Sequence, residues 1–276
     1  MPKFHVLLAD NSGFTADTED ITVHRIKYLH QLILSLYGEN SAAASVSWSS
    51  LLNLVSKLTL KLNGVPRIDI SGPDLFALAN YLLGVRPLGI SSGTATSNPC
   101  RVMGIPIPVA LPTGPETLTY KLSYAPVSGL TNTKYTLMAE YSDATIWSPP
   151  YTITTYSYTP PSTGALNKAL STITKGALEG ILIYATSVPS STSNTKTVNK
   201  VEVRVGGVVQ LSDSWESLRA AVQAGSVAAD AVSESILDNY VFLDLRGDPI
   251  PAGSSVDVFI NSDDIQPVRL ILVERV

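Results

Sequence analysis

Short segments in which apolar and polar residues alternate dominate the chain, separated by clusters of Gly, Pro, Asn and Ser. That is the pattern of many strands with one buried face, joined by turns. Leu58 to Leu62 (LTLKL), Leu118 to Leu122 (LTYKL), Tyr135 to Ala139 (YTLMA), Val201 to Val205 (VEVRV) and Val256 to Ile260 (VDVFI) all have period two. Two stretches change period and carry caps. In one, Ser71 or Gly72 stands ahead of Pro73, which suits the first helical position, and the apolar run closes at Gly84. In the other, Asp213 and Glu216 have the spacing of a capping box and Gly225 marks the end. Pro149-Pro150 and Pro160-Pro161 bracket a strand-like segment near the middle, which makes this the expected domain boundary. The division is a terminal segment 1–16, a first sandwich 17–150 and a second 151–276.

An internal repeat organises these elements. LTLKLNGVPRI, from Leu58, lies over VEVRVGGVVQL, from Val201, without a gap and with Gly64 on Gly207. Each hairpin then leads into a capped helix, Leu75 over Leu218. Upstream, Leu29 to Leu36 lies over Leu178 to Ala185; downstream, the Pro112 to Gly114 turn lies over Pro251 to Gly253, and Tyr135 to Glu140 over Val268 to Val273. Four matches in one order point to a duplicated β-sandwich. The repeat also decides Ile21 to Tyr37, whose Ile26, Leu29, Ile33 and Leu36 would suit a helix face. Its counterpart has Gly180 in the middle and alternating Ile181 and Ile183, so both are expected to be strands.

With LTLKLNGVPRIDISGPDLFAL in one half, VEVRVGGVVQLSDSWESLRAAV in the other, and a Pro-x-Gly turn before a closing strand in both, the chain resembles the double jelly-roll major capsid proteins of tailless icosahedral bacterial and archaeal viruses. The resemblance covers roughly residues 17 to 276. It implies a mainly β fold of two tandem jelly-roll β-sandwiches, each with a short helix, assembled as homotrimers of pseudo-hexagonal outline. It brings no catalytic residues. The expected partners are other copies of the chain, minor or vertex capsid proteins and an internal membrane, toward which the apolar run Phe4 to Ala9 is the candidate segment. The expected location is the virion, after synthesis in a host cytoplasm. Three copies of a two-lobed chain present six similar wedges around one axis, so closed threefold symmetry can tile a hexagonal lattice.

Composition narrows the functions. Net charge is −4 with no block of Lys or Arg, which argues against direct binding of nucleic acid. Charged residues make up 15% and hydrophobic residues 45%, enough for two moderate cores and not the profile of a disordered tail. The one cysteine, Cys100, forms no internal disulfide, and no Cys/His zinc spacing occurs. The N-terminal apolar run is too short for a secretory signal, and no later run reaches the roughly 20 residues needed to cross a bilayer.

Candidate chemistry is sparse. His24 and His30 would share a face of a strand but lie too far apart to share a metal alone, and His5 belongs to the terminal segment. No G-x-S-x-G elbow accompanies the many serines. Cys100 follows Asn98-Pro99 in a Gly/Ser/Thr-rich loop and reads as an ordinary small residue. Asn261 with Asp263 and Asp264, and Asp244 with Asp248, offer oxygen ligands of the kind calcium takes, but lack the spacing of a dedicated loop and read as turn residues. Asn63-Gly64 and Gly206-Gly207 read as type I′ turns. No catalytic, cofactor or metal residue is therefore assigned. The Ser/Thr-rich loops from Ile90 to Asn98 and from Ser187 to Thr197 suit exposed tips or seams between copies. A rival reading is a tandem carbohydrate-binding or adhesion sandwich, which would stack sugars on exposed Trp48, Trp147 or Trp215; a metal-dependent enzyme on a similar scaffold would need a His and Glu cluster that three scattered histidines do not supply.

Overall fold

The computed structural model describes residues 3–24, 27–40, 47–83, 89–92, 100–107, 109, 111, 114–143, 151–190, 193–225 and 236–276. The chain divides into two units, one of residues 1–151 with 228–236 and one of 152–227 with 237–276.

The first unit is built from β1 (Lys3–Gly13), β2 (Ile21–Val23), β3 (Tyr28–Asn40), α1 (Trp48–Asn53), β4 (Val55–Leu62), β5 (Val65–Ile70), α2 (Gly72–Leu83), β6 (Gly89–Ser92), β7 (Cys100–Ile107), β8 (Leu118–Tyr124) and β9 (Leu130–Ser142). The second contains β10 (Tyr151–Tyr158) from Thr152 onward, β11 (Leu166–Ile173), β12 (Ala177–Ala185), β13 (Lys200–Val205), β14 (Val208–Ser214), α3 (Trp215–Gly225), a 3-10 turn (Ile236–Asn239) from Leu237 onward, β15 (Tyr240–Asp244), β16 (Ser255–Asn261) and β17 (Val268–Arg275).

Strand order is the same in both. The first unit has β1-β9-β3-β7 in one sheet, with β6 added at the edge, and β2-β8-β4-β5 in the other; the second has β10-β17-β12-β15 and β11-β16-β13-β14. Substituting each strand by its counterpart converts one unit into the other. This is the jelly-roll order, in which the last strand of each unit inserts between the first and third, and the fold is mainly β as expected. Ile21 to Tyr37 falls on β2 and β3, so the repeat identified them rightly as strands.

The likeness reaches details of register. Asn63 and Gly64 have φ of 51° and 76°, and Gly206 and Gly207 have 56° and 83°, so both hairpins turn through two left-handed residues. Each hairpin then carries a bulge at the same step: Arg67 is the extra residue in the first, Gln210 in the second. Alternation sorts the side chains. Leu32, Leu34 and Leu36 of β3 are buried together with Leu58, Leu60, Leu122 and Leu137. In the second unit Ile181, Ile183, Val201, Val203, Val258, Leu270 and Leu272 form one cluster drawn from both sheets, with Trp215 and Leu218 of α3 packed onto it.

Three features differ from expectation. Lys3–Gly13, set apart by sequence as a terminal segment, is β1 and pairs with β9 along its length. A third helix, α1, is capped by the Ser47 hydroxyl, which accepts from the Ser50 N–H at 2.9 Å; its six residues are too few for a periodic signal. The cap of α3 is Ser214, whose hydroxyl accepts from the Ser217 N–H at 3.2 Å, while Asp213 accepts from the Ser214 N–H instead of capping. The other cap conforms: Ser71 accepts from the Asp74 N–H at 3.3 Å and donates to its carboxylate at 2.7 Å. Gly84, Pro112 and Thr113, Pro149-Pro150, and most of the Ile90 to Asn98 loop lie outside the described residues, as do Ser191 and Thr192 of the Ser187 to Thr197 loop.

Gly180 shows why the β12 repeat contains a glycine. A Cβ there would sit 2.4 Å from the Phe242 ring and 3.2 Å from the Leu243 carbonyl oxygen. Gly180→Val should therefore destabilise the second sandwich by about 1–3 kcal/mol, as overpacking does, read as a lower urea midpoint at unchanged slope.

Candidate functional site

The polar side chains that sequence singles out are distributed among structural tasks. His24 lies beyond β2, and its carbonyl oxygen accepts the Tyr141 hydroxyl. Cys100 opens β7, where its backbone pairs between Glu39 and Ser92. Asp263 and Asp264 do not converge: Asp263 accepts from the Asn199 amide, and Asp264 from the Ser187 hydroxyl at 2.9 Å. The Asn261 amide donates to the Gly164 carbonyl at 2.8 Å. Together these bonds tie the β16–β17 connection to the loops beside it. Asp244 takes two bonds from the Arg246 guanidinium, at 2.8 and 2.6 Å, and this pairing holds its carboxyl below the usual range despite partial burial. Asp248 is exposed on the next turn. Among the described residues no three His, Cys, Asp or Glu side chains are grouped so as to hold a metal.

Sequence missed one polar cluster because its members come from three strands far apart in the chain. Glu140 on β9 is 5% exposed, on the sheet face opposite the core. Lys3 of β1 donates to it at 2.7 Å, and His5 Nε2 lies at 3.1 Å from its other oxygen. His30 of β3 stands 3.7 Å away. His5 thus belongs to an interaction that its terminal position did not suggest, and His30 meets it across β9, not His24. Burial by itself would raise the Glu140 carboxyl, but the bonds from Lys3, His5 and Gln31 outweigh it and hold the carboxyl below its ordinary value. The arrangement ties β1 and β3 to the strand between them.

The aromatic residues likewise serve packing. Trp48 is 8% and Trp215 2% exposed, so neither offers a ring to a sugar; Trp147 lies outside the described residues. Tyr120 is fully buried, and burial, with Tyr135 adding to it, pushes its phenol well above the ordinary value and keeps it neutral. No helix among the described residues is long and apolar enough to cross a membrane.

No family model and no curated protein matches the chain by sequence. Solved structures match it by fold. The major capsid protein of STIV superposes with a TM-score of 0.79 at 16% identity, covering 100% of this chain and 97% of that one. The major capsid protein P2 of bacteriophage PM2 gives 0.65 at 14% identity, covering 99% and 96%. The PBCV-1 virus capsid protein gives 0.64 at 6% identity, covering 99% and 93%. The chain therefore has the double jelly-roll fold seen in viral major capsid proteins, along its whole length.

The Glu140 cluster carries a pH dependence. A carboxyl whose folded value is depressed contributes stability that is present above its unfolded value, near 4.3, and is lost as pH falls through the lower folded value. Glu140→Gln should lower stability at pH 7 by about 1.5–3 kcal/mol, as expected for hydrogen bonds to a charged group, with a correspondingly lower Tm, and the gap to the wild type should narrow below about pH 4. Thermal melts from pH 3 to 7 measure it.

Proposed function

We propose that this protein is the major capsid protein of a virus, a structural and non-enzymatic chain that self-associates as pseudo-hexagonal homotrimers and tiles an icosahedral shell. The observation that carries this reading is the identity of strand order, turn conformation and bulge position in the two units. Two lobes that agree so closely can stand at alternate positions around a threefold axis and meet neighbours in similar ways. Surface residues support it: Val65 and Val208 follow the two hairpin turns at matching positions and are 57% and 63% exposed, so both lobes offer the same apolar contact.

Its partners on this reading are first other copies of itself, then minor or vertex proteins and an internal membrane. The location is the virion, following synthesis in the host cytoplasm. A net charge of −4 leaves the genome to other components. The carbohydrate-binding alternative is not favoured, since its ring platforms are absent among the described tryptophans.

Light scattering on the purified chain across concentration and salt should return three times 29.4 kDa, or growth into closed particles. A strict monomer at every concentration would overturn the reading.

A further inference from the structure

The two units are built alike at one end and differ there in what closes it. In the first, Leu111 bridges Leu29 through two backbone bonds of 2.9 and 3.0 Å; in the second, Ile250 bridges Leu178 through bonds of 2.9 and 3.1 Å. The hairpin turns are pinned in the same manner, Asn63 N–H to the Thr117 carbonyl at 2.8 Å and Gly206 N–H to the Ser255 carbonyl at 2.9 Å. Between these matching anchors the first unit has, among the described residues, a crevice of about 10 Å³ walled by Leu60, Ile68, Leu111, Arg67 and Tyr151, the residue with which that unit ends. The second unit has a cavity of about 500 Å³ at the corresponding place, walled by Val203, Leu211, Ile250, Gln210 and Asp248. Val203, Leu211, Ile250 and Gln210 are the counterparts of Leu60, Ile68, Leu111 and Arg67.

Two differences define what the cavity would take. The crevice of the first unit is lined in part by a tyrosine that opens an extended strand, and the cavity of the second has no such ring among its lining residues. The bulge residue is a cation in the first unit and neutral Gln210 in the second, where Asp244 and Asp248 add carboxylates. Asp244 is already held by Arg246, whereas Asp248 has no ion pair among the described residues. The opening is therefore apolar within and negative at the rim, with a volume that suits a few side chains.

We propose that this cavity in the second sandwich is a docking site for an extended peptide segment of another polypeptide that presents an aromatic residue beside a basic one. The ring enters between Val203, Leu211 and Ile250, the wall whose counterpart in the first sandwich lines a crevice together with Tyr151, and the cation meets Asp248. The site does not depend on the shell reading, since it is complete within one unit of one chain.

Calorimetry with acetylated pentapeptides tests it on the full chain. Lys-Tyr-Thr-Ile-Thr, patterned on the strand that begins at Tyr151, should bind saturably, and Lys-Ala-Thr-Ile-Thr should not. Leu211→Trp, which fills the cavity, should abolish binding. Asp248→Asn, an exposed change that keeps the cavity, should weaken the Lys-Tyr peptide by up to about fivefold, as expected for an exposed ion pair, and leave a Gln-Tyr version unchanged. Absence of binding to the wild type at millimolar peptide would overturn the proposal. So would binding equally strong to the alanine peptide, or an Asp248→Asn variant that affects the lysine and glutamine peptides alike.

Discussion

Each sandwich depends on the insertion of its last strand between its first and third. β9 must fill the gap between β1 and β3, and β17 the place next to β12, before the backbone groups of those strands are satisfied. An unpaired buried N–H or C=O is costly, so neither sheet holds together without its terminal strand. The pairings span most of each unit, His5 to Glu140 in the first and Ala177 to Arg275 in the second. Folding is accordingly dominated by non-local contacts and should be slow for its size.

That constraint explains where polar chemistry is found. Glu140 is buried on the outer sheet face because β1 and β3 flank it, and it brings Lys3, His5 and His30 together at the seam. In the second unit the corresponding terminal strand carries Glu274, which accepts the Lys175 N–H at 2.8 Å, and Arg275, which pairs with Glu179 at 2.6 Å. These carboxylates secure strands. At these seams the ionisable side chains serve the closure of the sheets.

Duplication lets the two halves be compared with each other. Where they agree, in turns, bulges and bridges, the agreement follows from the demands of one strand order. Where they differ, as between the closed crevice at Tyr151 and the open cavity at Gln210 and Asp248, the fold imposes no requirement and the difference is free to serve recognition.

Elements whose physics is local are legible in the chain. Period-two alternation in LTLKL and VEVRV marked β4 and β13, Asn63-Gly64 and Gly206-Gly207 marked their turns, and Pro73 marked the opening of α2, because each depends on residues close in the chain. The repeat extended that reach to β3, where the counterpart of an ambiguous segment chose strand over helix. Three features are visible in three dimensions alone: β1 joins a sheet, His5 meets Glu140, and Ser214 rather than Asp213 caps α3. The first two rest on pairing between strands more than a hundred residues apart, and the third on a choice between adjacent residues that both make good caps. The cavity beside Gln210 was equally beyond sequence, since a volume is defined by the walls that fail to meet.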